Sequence, residues 1–195
     1  MSARRDGAPP SAAGRQPFER LPGDPSAAEA RARMIRVDHA GEYGARRIYD
    51  GQLAVLGKSS LGAQLRHMAE QEKRHFETFD RLVRDQRVRP TILTPLWHVA
   101  GFALGAATAL LGPAAAMACT EAVEDVIEEH YERQIAALGP EDPALKETLE
   151  NCKADEVQHR DLARDHGAKE APGYEILTGA IKAGSRLAIW LSERF

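Results

Sequence analysis

Two Glu-x-x-His motifs in this chain have the residue types and the spacing that metal binding requires. Glu72 and His75 form the first motif, and Glu156 and His159 form the second. Residues three apart lie on one face of a helix, so each carboxylate and imidazole could bind the same metal ion. Both motifs interrupt apolar helical stripes, where an unpaired carboxylate costs several kcal/mol. We therefore expect a metal ion to compensate the buried charge.

Two further glutamates precede the motifs at similar intervals. Glu42 lies 30 positions before Glu72, and Glu124 lies 32 positions before Glu156. This near-repeat indicates an internal duplication of a helical hairpin. Two Glu-x-x-His motifs and one Glu from each of two other helices form the ligand set of di-iron carboxylate bundles. We predict Glu42, Glu72 and His75 on one ion and Glu124, Glu156 and His159 on the other, with Glu72 and Glu156 bridging.

This ligand chemistry limits which metals could bind but does not determine which reaction the site supports. Mixed carboxylate and imidazole ligation suits iron or manganese better than zinc or copper. Reduced di-iron proteins can use O2 to hydroxylate a substrate, and the same scaffold can store iron or consume peroxide. We also expect Asp38 and Asp155 to orient ligand histidines from outside the site. The remaining glutamates near the motifs are expected on exposed faces: Glu77, Glu121, Glu128, Glu129 and Glu132.

Helices must position these side chains, because apolar residues recur at helical spacing from Met34 onward. Glycine and proline signals favour six helices, at about 32–56, 61–87, 96–111, 114–138, 143–166 and 174–193. Short connections between long helices favour antiparallel packing. The predicted fold is all-α: a ferritin-like antiparallel four-helix bundle with an extra apolar helix and a C-terminal amphipathic helix.

The length and composition limit the organisation and the partners. A chain of 195 residues is the size of one domain. Residues 1–30, rich in Pro, Ala, Gly and Arg, are predicted to be a flexible leader, and residues 31–195 the ferritin-like domain. The formal net charge of -3 provides no positive field for nucleic acid, so no nucleic-acid partner is expected. Cys119 and Cys152 lie in separate predicted helices and indicate no disulfide framework.

An uncharged run extends from residue 90 to residue 120. It has the roughly 20 residues that a bilayer span needs, but glycines and prolines interrupt it. We expect a helix at or near the membrane interface, with burial against the bundle or a true span as alternatives. Gly101 and Gly105 could allow close packing with another helix, in lipid or in a dimer. The basic face of the last helix could touch anionic lipid or a dinucleotide phosphate, unless that helix is simply packed.

Three segments resemble the di-iron demethoxyubiquinol hydroxylase family of ubiquinone biosynthesis. They are residues 35–45 (IRVDHAGEYGA), residues 119–124 (CTEAVE) with His130 and Tyr131 beyond, and residues 183–195 (AGSRLAIWLSERF). The DHAGE and LSER motifs within them are not generic to ferritin-like bundles. The resemblance covers residues 33–195.

The resemblance implies a monooxygenase that uses O2 to hydroxylate the ring of a demethoxyubiquinol carrying a polyprenyl tail. It implies NADH as the electron source, with contacts at Arg33, Arg186 and Arg194, although Trp190 stands where the family has Tyr. The chain has no Gly-x-Gly-x-x-Gly motif, so binding would not be of the Rossmann type. We expect Tyr131 to line the quinol pocket or to shuttle a proton.

The same reasoning gives expected partners, a location and rival functions. Expected partners are the polyprenyl quinol, O2, the membrane surface, and a second copy or an accessory ubiquinone-biosynthesis protein. The leader lacks a secretory apolar stretch, which favours the cytoplasmic side of a bacterial inner membrane over the matrix side of the mitochondrial inner membrane. The alternatives are a ferritin-like iron-storage or peroxide-consuming protein, and a hydroxylase of another substrate such as a tRNA base.

Overall fold

A computed structural model describes residues 25–138 and 142–195, which form six α-helices and one short 3-10 helix. The helices are α1 (Ala27–Leu56), α2 (Gly62–Asp85), α3 (Thr94–Leu110), α4 (Pro113–Leu138), α5 (Pro143–Asp165) and α6 (Tyr174–Ser192), with the 3-10 helix at Ala168–Glu170. The predicted all-α, ferritin-like class is confirmed. Residues 1–24 of the predicted leader lie outside the described residues, so the leader stays a prediction.

The first helix begins earlier than the sequence analysis predicts. Its start at Ala27 rather than residue 32 follows from a capping box that the analysis missed. Ser26 Oγ accepts a hydrogen bond of 3.2 Å from the Glu29 backbone N–H, and Glu29 Oε2 accepts one of 2.7 Å from the Ser26 N–H. Two otherwise unpaired backbone donors are thereby satisfied at the helix start. The residues just before the bundle are therefore helical.

The helices form two similar halves. Helix α1 packs against α2, and α4 packs against α5, so the two hairpins enclose a four-helix bundle. Helix α3 then lies on α1, and α6 lies on α4, each outside the bundle. A hairpin with one covering helix therefore occurs twice, and the internal duplication stays a prediction. The core residues Met68 and Phe79 lie in separate apolar clusters, and the Glu72 motif falls between them on α2.

The extra apolar helix, α3, lies very close to α1 because both helices carry glycine at the contact. A Cβ atom on Gly101 would lie 2.8 Å from the backbone oxygen of Gly44, and one on Gly105 would overlap the backbone oxygen of Ile48. The glycine pair therefore packs within the chain. None of the described helices has the length and apolarity that a membrane crossing requires.

Candidate metal centre

The six predicted ligands meet inside the four-helix bundle, where each is at most 7% exposed. Their ligand atoms form two groups, each within 4.8 Å: Glu42, Glu72, His75 and Glu156 in one, and Glu72, Glu124, Glu156 and His159 in the other. Glu72 and Glu156 belong to both groups, as bridging ligands of two neighbouring ions would. All four helices of the bundle supply one or two of these residues.

Both imidazoles turn the same nitrogen toward the carboxylates. His75 Nδ1 lies 3.1 Å from Glu156 Oε1 and 3.5 Å from Glu42 Oε2. His159 Nδ1 lies 3.1 Å from an oxygen of Glu72 and 3.1 Å from an oxygen of Glu156. A metal ion takes a lone pair from a neutral imidazole, so Nδ1 is the nitrogen available to it and Nε2 must carry the proton.

The two Nε2 atoms point outward to different partners. His75 Nε2 is 2.9 Å from Asp155 Oδ2, and His159 Nε2 is 3.1 Å from Gln71 Oε1. Asp155 directly precedes the Glu of the second motif, and Gln71 directly precedes the Glu of the first. Each motif therefore supplies the outer partner of the other motif's histidine. The contact of Asp155 with a predicted ligand histidine is as expected, and the equivalent contact of Gln71 was not foreseen.

Asp38 does not contact a predicted ligand histidine, so its expected role is wrong. Its Oδ1 accepts a hydrogen bond of 2.8 Å from Gln134 Nε2 and lies 3.3 Å from His130 Nε2. Burial raises the pKa of the Asp38 carboxyl. Asp38 therefore belongs to a separate buried polar contact between α1 and α4.

Two buried tyrosines hydrogen-bond to the glutamates that stand outside the Glu-x-x-His motifs. Tyr49 donates to Glu124 Oε1 at 3.0 Å, and Tyr131 donates to Glu42 Oε1. Each tyrosine lies seven positions after the glutamate of its own helix and bonds the glutamate of the other half. Tyr131 is not among the residues that line the apolar cavity described below, and its expected role in a quinol pocket or as a proton shuttle stays a prediction.

The buried charges perturb one another strongly. Burial raises the pKa of Glu42 and Glu124, and burial with the charge of Glu156 raises the pKa of Glu72 to about 8. Burial opposes a charge on Glu156, but the neighbouring imidazoles of His159 and His75 lower its pKa to about 2. Burial also opposes a charge on His159, but hydrogen bonds to Glu156 and Glu72 raise its pKa to about 11. The site holds more carboxylates than the two imidazoles can neutralise.

Unpaired buried atoms of the site fit a bound cation. They lack a hydrogen bond of good geometry although they are sealed from solvent: Glu42 Oε2, Glu72 Oε1, Glu124 Oε2, Glu156 Oε1 and His75 Nδ1. An unsatisfied buried polar group is costly, and a charged one more so. Carboxylate oxygens and imidazole nitrogens converging in this way are ligands that iron or manganese accepts. The residues present therefore fit two such ions.

Cys152 is a neighbour of the site that the sequence analysis did not single out. Its sulfur lies within 4.8 Å of ligand atoms of Glu42 and His75. Burial raises the pKa of the Cys152 thiol, which keeps it protonated in the absence of a metal ion. Cys152 precedes Glu156 by four positions on the same helix, and this spacing was the available signal.

Glu121 is buried, contrary to the expectation that it lies on an exposed face. It is 2% exposed, and its carboxylate accepts hydrogen bonds from Arg164 Nε at 2.6 Å and from the Tyr174 hydroxyl at 2.9 Å. Helix α6 begins at Tyr174 and packs on α4. The sequence pattern of α4 alone could not show that residues of other helices bury Glu121. Glu121 therefore ties three helices together outside the candidate metal centre.

The three arginines expected to contact a reductant lie on the surface in separate settings. Arg33 lines a cavity of about 290 Å³ that also includes Glu193, whereas Arg186 and Arg194 are not among its lining residues. Arg186 pairs with Glu129 at 3.1 Å. The Arg194 guanidinium stacks over the Trp190 ring at 4.2 Å. Their role toward a dinucleotide stays a prediction.

An apolar cavity of about 540 Å³ lies between α1, α3, α4 and α6. Its lining includes Gly41, Ile48, Leu104, Val123, Ile181 and Gly184. Gly41 and Val123 are the sequence neighbours of Glu42 and Glu124. The cavity and the candidate metal centre thus share the two helices α1 and α4 as a common wall.

A four-helix bundle with paired Glu-x-x-His motifs and two further buried glutamates defines a ferritin-like protein with a site that could hold two metal ions. Within that class, residues 29–192 match the family described as "Ubiquinone biosynthesis protein COQ7". The chain belongs to this family, as its DHAGE and LSER motifs suggest.

Relatives from three organisms carry hydroxylase names. A Rhodospirillum rubrum protein named "3-demethoxyubiquinol 3-hydroxylase" is 57% identical over 94% of this chain and 87% of its own length. A Homo sapiens protein named "NADPH-dependent 3-demethoxyubiquinone 3-hydroxylase, mitochondrial" is 54% identical over 83% of this chain and 76% of its own. A Saccharomyces cerevisiae protein named "5-demethoxyubiquinone hydroxylase, mitochondrial" is 44% identical, with coverage of 83% and 77%.

Proposed function

We propose that this protein hydroxylates the ring of a polyprenyl demethoxyubiquinol with O2, using two iron ions held by the six buried ligands. The observation that carries the proposal is the convergence of these ligands in two groups that share Glu72 and Glu156. Family membership and the names of the relatives support the substrate and the reaction. None of these three relatives is named for iron storage or peroxide consumption.

The chain's own residues prepare the site for this chemistry. Two bound iron ions would supply the electrons that activate O2. The Nδ1 atoms of His75 and His159 face the shared glutamates, with Nε2 fixed by partners outside the ligand groups. Tyr49 and Tyr131 hold one oxygen each of Glu124 and Glu42 and leave the other oxygen free. The surrounding apolar clusters exclude water.

The apolar cavity is the proposed quinol site. Its volume of about 540 Å³ lies in the range of small-molecule pockets, roughly 300–1,000 Å³. Exposed residues on its rim, such as Gly184 and Ala180 of α6, leave it accessible from outside. A tail entering between α3 and α6 would direct the ring toward α1 and α4, where Glu42 and Glu124 begin the metal centre.

The reductant is proposed to be a nicotinamide dinucleotide. The sequence resemblance favours NADH, whereas the human relative is named NADPH-dependent, so the identity of the dinucleotide is not confirmed. The candidate contacts remain Arg33, Arg186 and Arg194. Steady-state rates with NADH and NADPH, measured for wild type and for alanine variants of these arginines, decide both points. Equal rates in all variants would remove the arginines from the proposal.

A peripheral position at a membrane is proposed, on the cytoplasmic side of a bacterial inner membrane. The proposal is supported by the apolar substrate and by the exposed apolar residues that flank the cavity on α3 and α6. The named mitochondrial relatives keep the matrix side of the mitochondrial inner membrane as the alternative. A second copy or an accessory protein remains a possible partner.

The substitution Glu156→Ala tests the proposal at its shared ligand. Because Glu156 belongs to both ligand groups, we expect loss of both iron ions and of hydroxylation together. Iron content of the purified protein and ubiquinone content of cells that depend on it are the two measurements. Glu77→Ala, an exposed change on α2, is the control. Full ubiquinone production by an iron-free Glu156→Ala protein would contradict the proposal.

A further inference from the structure

The two halves of the metal centre differ in the residue that directly precedes each motif glutamate. The position directly before the motif glutamate is Gln71 in the first half and Asp155 in the second. Both side chains contact the Nε2 atom of the opposite motif's histidine, at 3.1 Å from Gln71 to His159 and 2.9 Å from Asp155 to His75. The duplicated scaffold thus places an amide behind one imidazole and a carboxylate behind the other.

This difference affects the ligand nitrogen through the ring. A carboxylate that accepts the Nε2 proton increases the basicity of Nδ1, and it does so more than a neutral amide oxygen. Asp155 also adds a negative charge on the side of His75, where Gln71 adds none on the side of His159. The Asp155 side chain is 35% exposed, so solvent reduces this charge effect.

We propose that Asp155 makes the ion position of Glu42 and His75 the tighter of the two, so that the two ions bind in a fixed order. Asp155 acts as a positioning residue through His75 and does not ligate the ion. The inference rests on the metal-binding part of the proposed function. It is independent of the identity of the organic substrate.

Anaerobic titration of the metal-free full chain with Fe(II), in competition with a chromophoric chelator, tests this order. Wild type is expected to bind two ions in two separate steps. Asp155→Asn should weaken the tighter step by about 10–100-fold and leave the other step unchanged. Gln71→Glu should tighten the weaker step and bring the two steps together. Glu150→Gln, an exposed change on α5, should change neither step.

Two further measurements separate positioning from general stability. Circular dichroism of the metal-free variants should match that of wild type, and Asp155→Glu should recover part of the lost affinity. An unchanged tighter step in Asp155→Asn, or a shift of the same step in Asp155→Asn and Gln71→Glu, would overturn the inference. Two steps of equal affinity in wild type would also overturn it. A wild-type chain that binds no Fe(II) would instead contradict the proposed function.

Discussion

At the scale of single residues, the candidate centre is a set of buried carboxylates with too few cations beside them. Glu156 is held ionised by two imidazoles, while burial raises the pKa of the other three glutamates. In the protein without metal, protons on these glutamates therefore neutralise charge that bound cations would otherwise neutralise. A divalent ion would replace these protons and satisfy the unpaired oxygens at the same time.

Metal uptake near pH 7 is predicted to release protons. The pKa of His159 is raised to about 11 and that of Glu72 to about 8, so both groups are mostly protonated before an ion binds. Because ions bind only the deprotonated ligands, a falling pH strengthens proton competition and weakens metal affinity. Back-titration of a weakly buffered metal-free sample during Fe(II) addition measures the release. Metal affinity that does not change between about pH 8 and pH 6 would contradict the prediction.

At the scale of helices, sequence periodicity predicted each helix but not every side-chain contact between helices. The Glu-x-x-His spacing on apolar stripes selected four of the six candidate ligands, because a buried charge at such a position is costly. The similar intervals of 30 and 32 residues before the motifs added Glu42 and Glu124. Gln71, the outer partner of His159, and Cys152, a neighbour of Glu42 and His75, were not foreseen, because their contacts form only when two helices pack. Glu121 was misplaced because its cover comes from α6, which is distant in sequence.

The outward face of α3 is predicted to contact a membrane surface. Helix α3 uses its glycines against α1 and leaves Leu96, Val99 and Leu110 between 52% and 75% exposed. Such a face would gain free energy by entering the interfacial region of a bilayer. The paired change Leu96→Glu with Val99→Glu should reduce co-sedimentation with phosphatidylcholine–phosphatidylglycerol vesicles. The paired change Ala63→Glu with Ala144→Glu, at exposed positions of α2 and α5, is the charge-matched comparison.

Unchanged vesicle binding in the α3 double variant would remove α3 from the proposed membrane contact. An equal loss in the Ala63→Glu, Ala144→Glu variant would assign the effect to added negative charge rather than to the apolar face. Circular dichroism of each variant establishes that the helices are intact.

At the scale of the whole molecule, two three-helix units face each other across one centre. The metal ligands lie within the four-helix bundle, and the apolar cavity lies between the covering helices α3 and α6. Helices α1 and α4 contribute to both. On the proposed function, a prenylated substrate in this cavity would lie against the wall that α1 and α4 share with the ligands.

Filling the cavity from its rim should block the substrate and spare the fold. Gly184 lines the cavity, and a Cβ atom there would meet no other atom within 4 Å. In Gly184→Leu, the new side chain would displace two or more buried CH2 groups of the tail, at about 0.8 kcal/mol each. The KM for a prenylated quinol should rise about tenfold or more.

Gly179→Leu is the matched control for this change. Gly179 also lies on α6 with open space at its Cβ position, but it is not among the residues that line the cavity. Its KM should equal that of wild type. A normal KM in Gly184→Leu, with the protein folded, would show that the quinol binds elsewhere.

The origin of the new hydroxyl oxygen tests directly whether this protein is a monooxygenase. Iron-loaded, chemically reduced protein is mixed with a short-tailed demethoxyubiquinol and isotopically labelled O2, and the product is analysed by mass spectrometry. The account predicts a ring-hydroxylated product that carries one labelled oxygen atom. A hydroxylated product whose oxygen comes from water, or the absence of hydroxylation in protein that holds two iron ions, would contradict it.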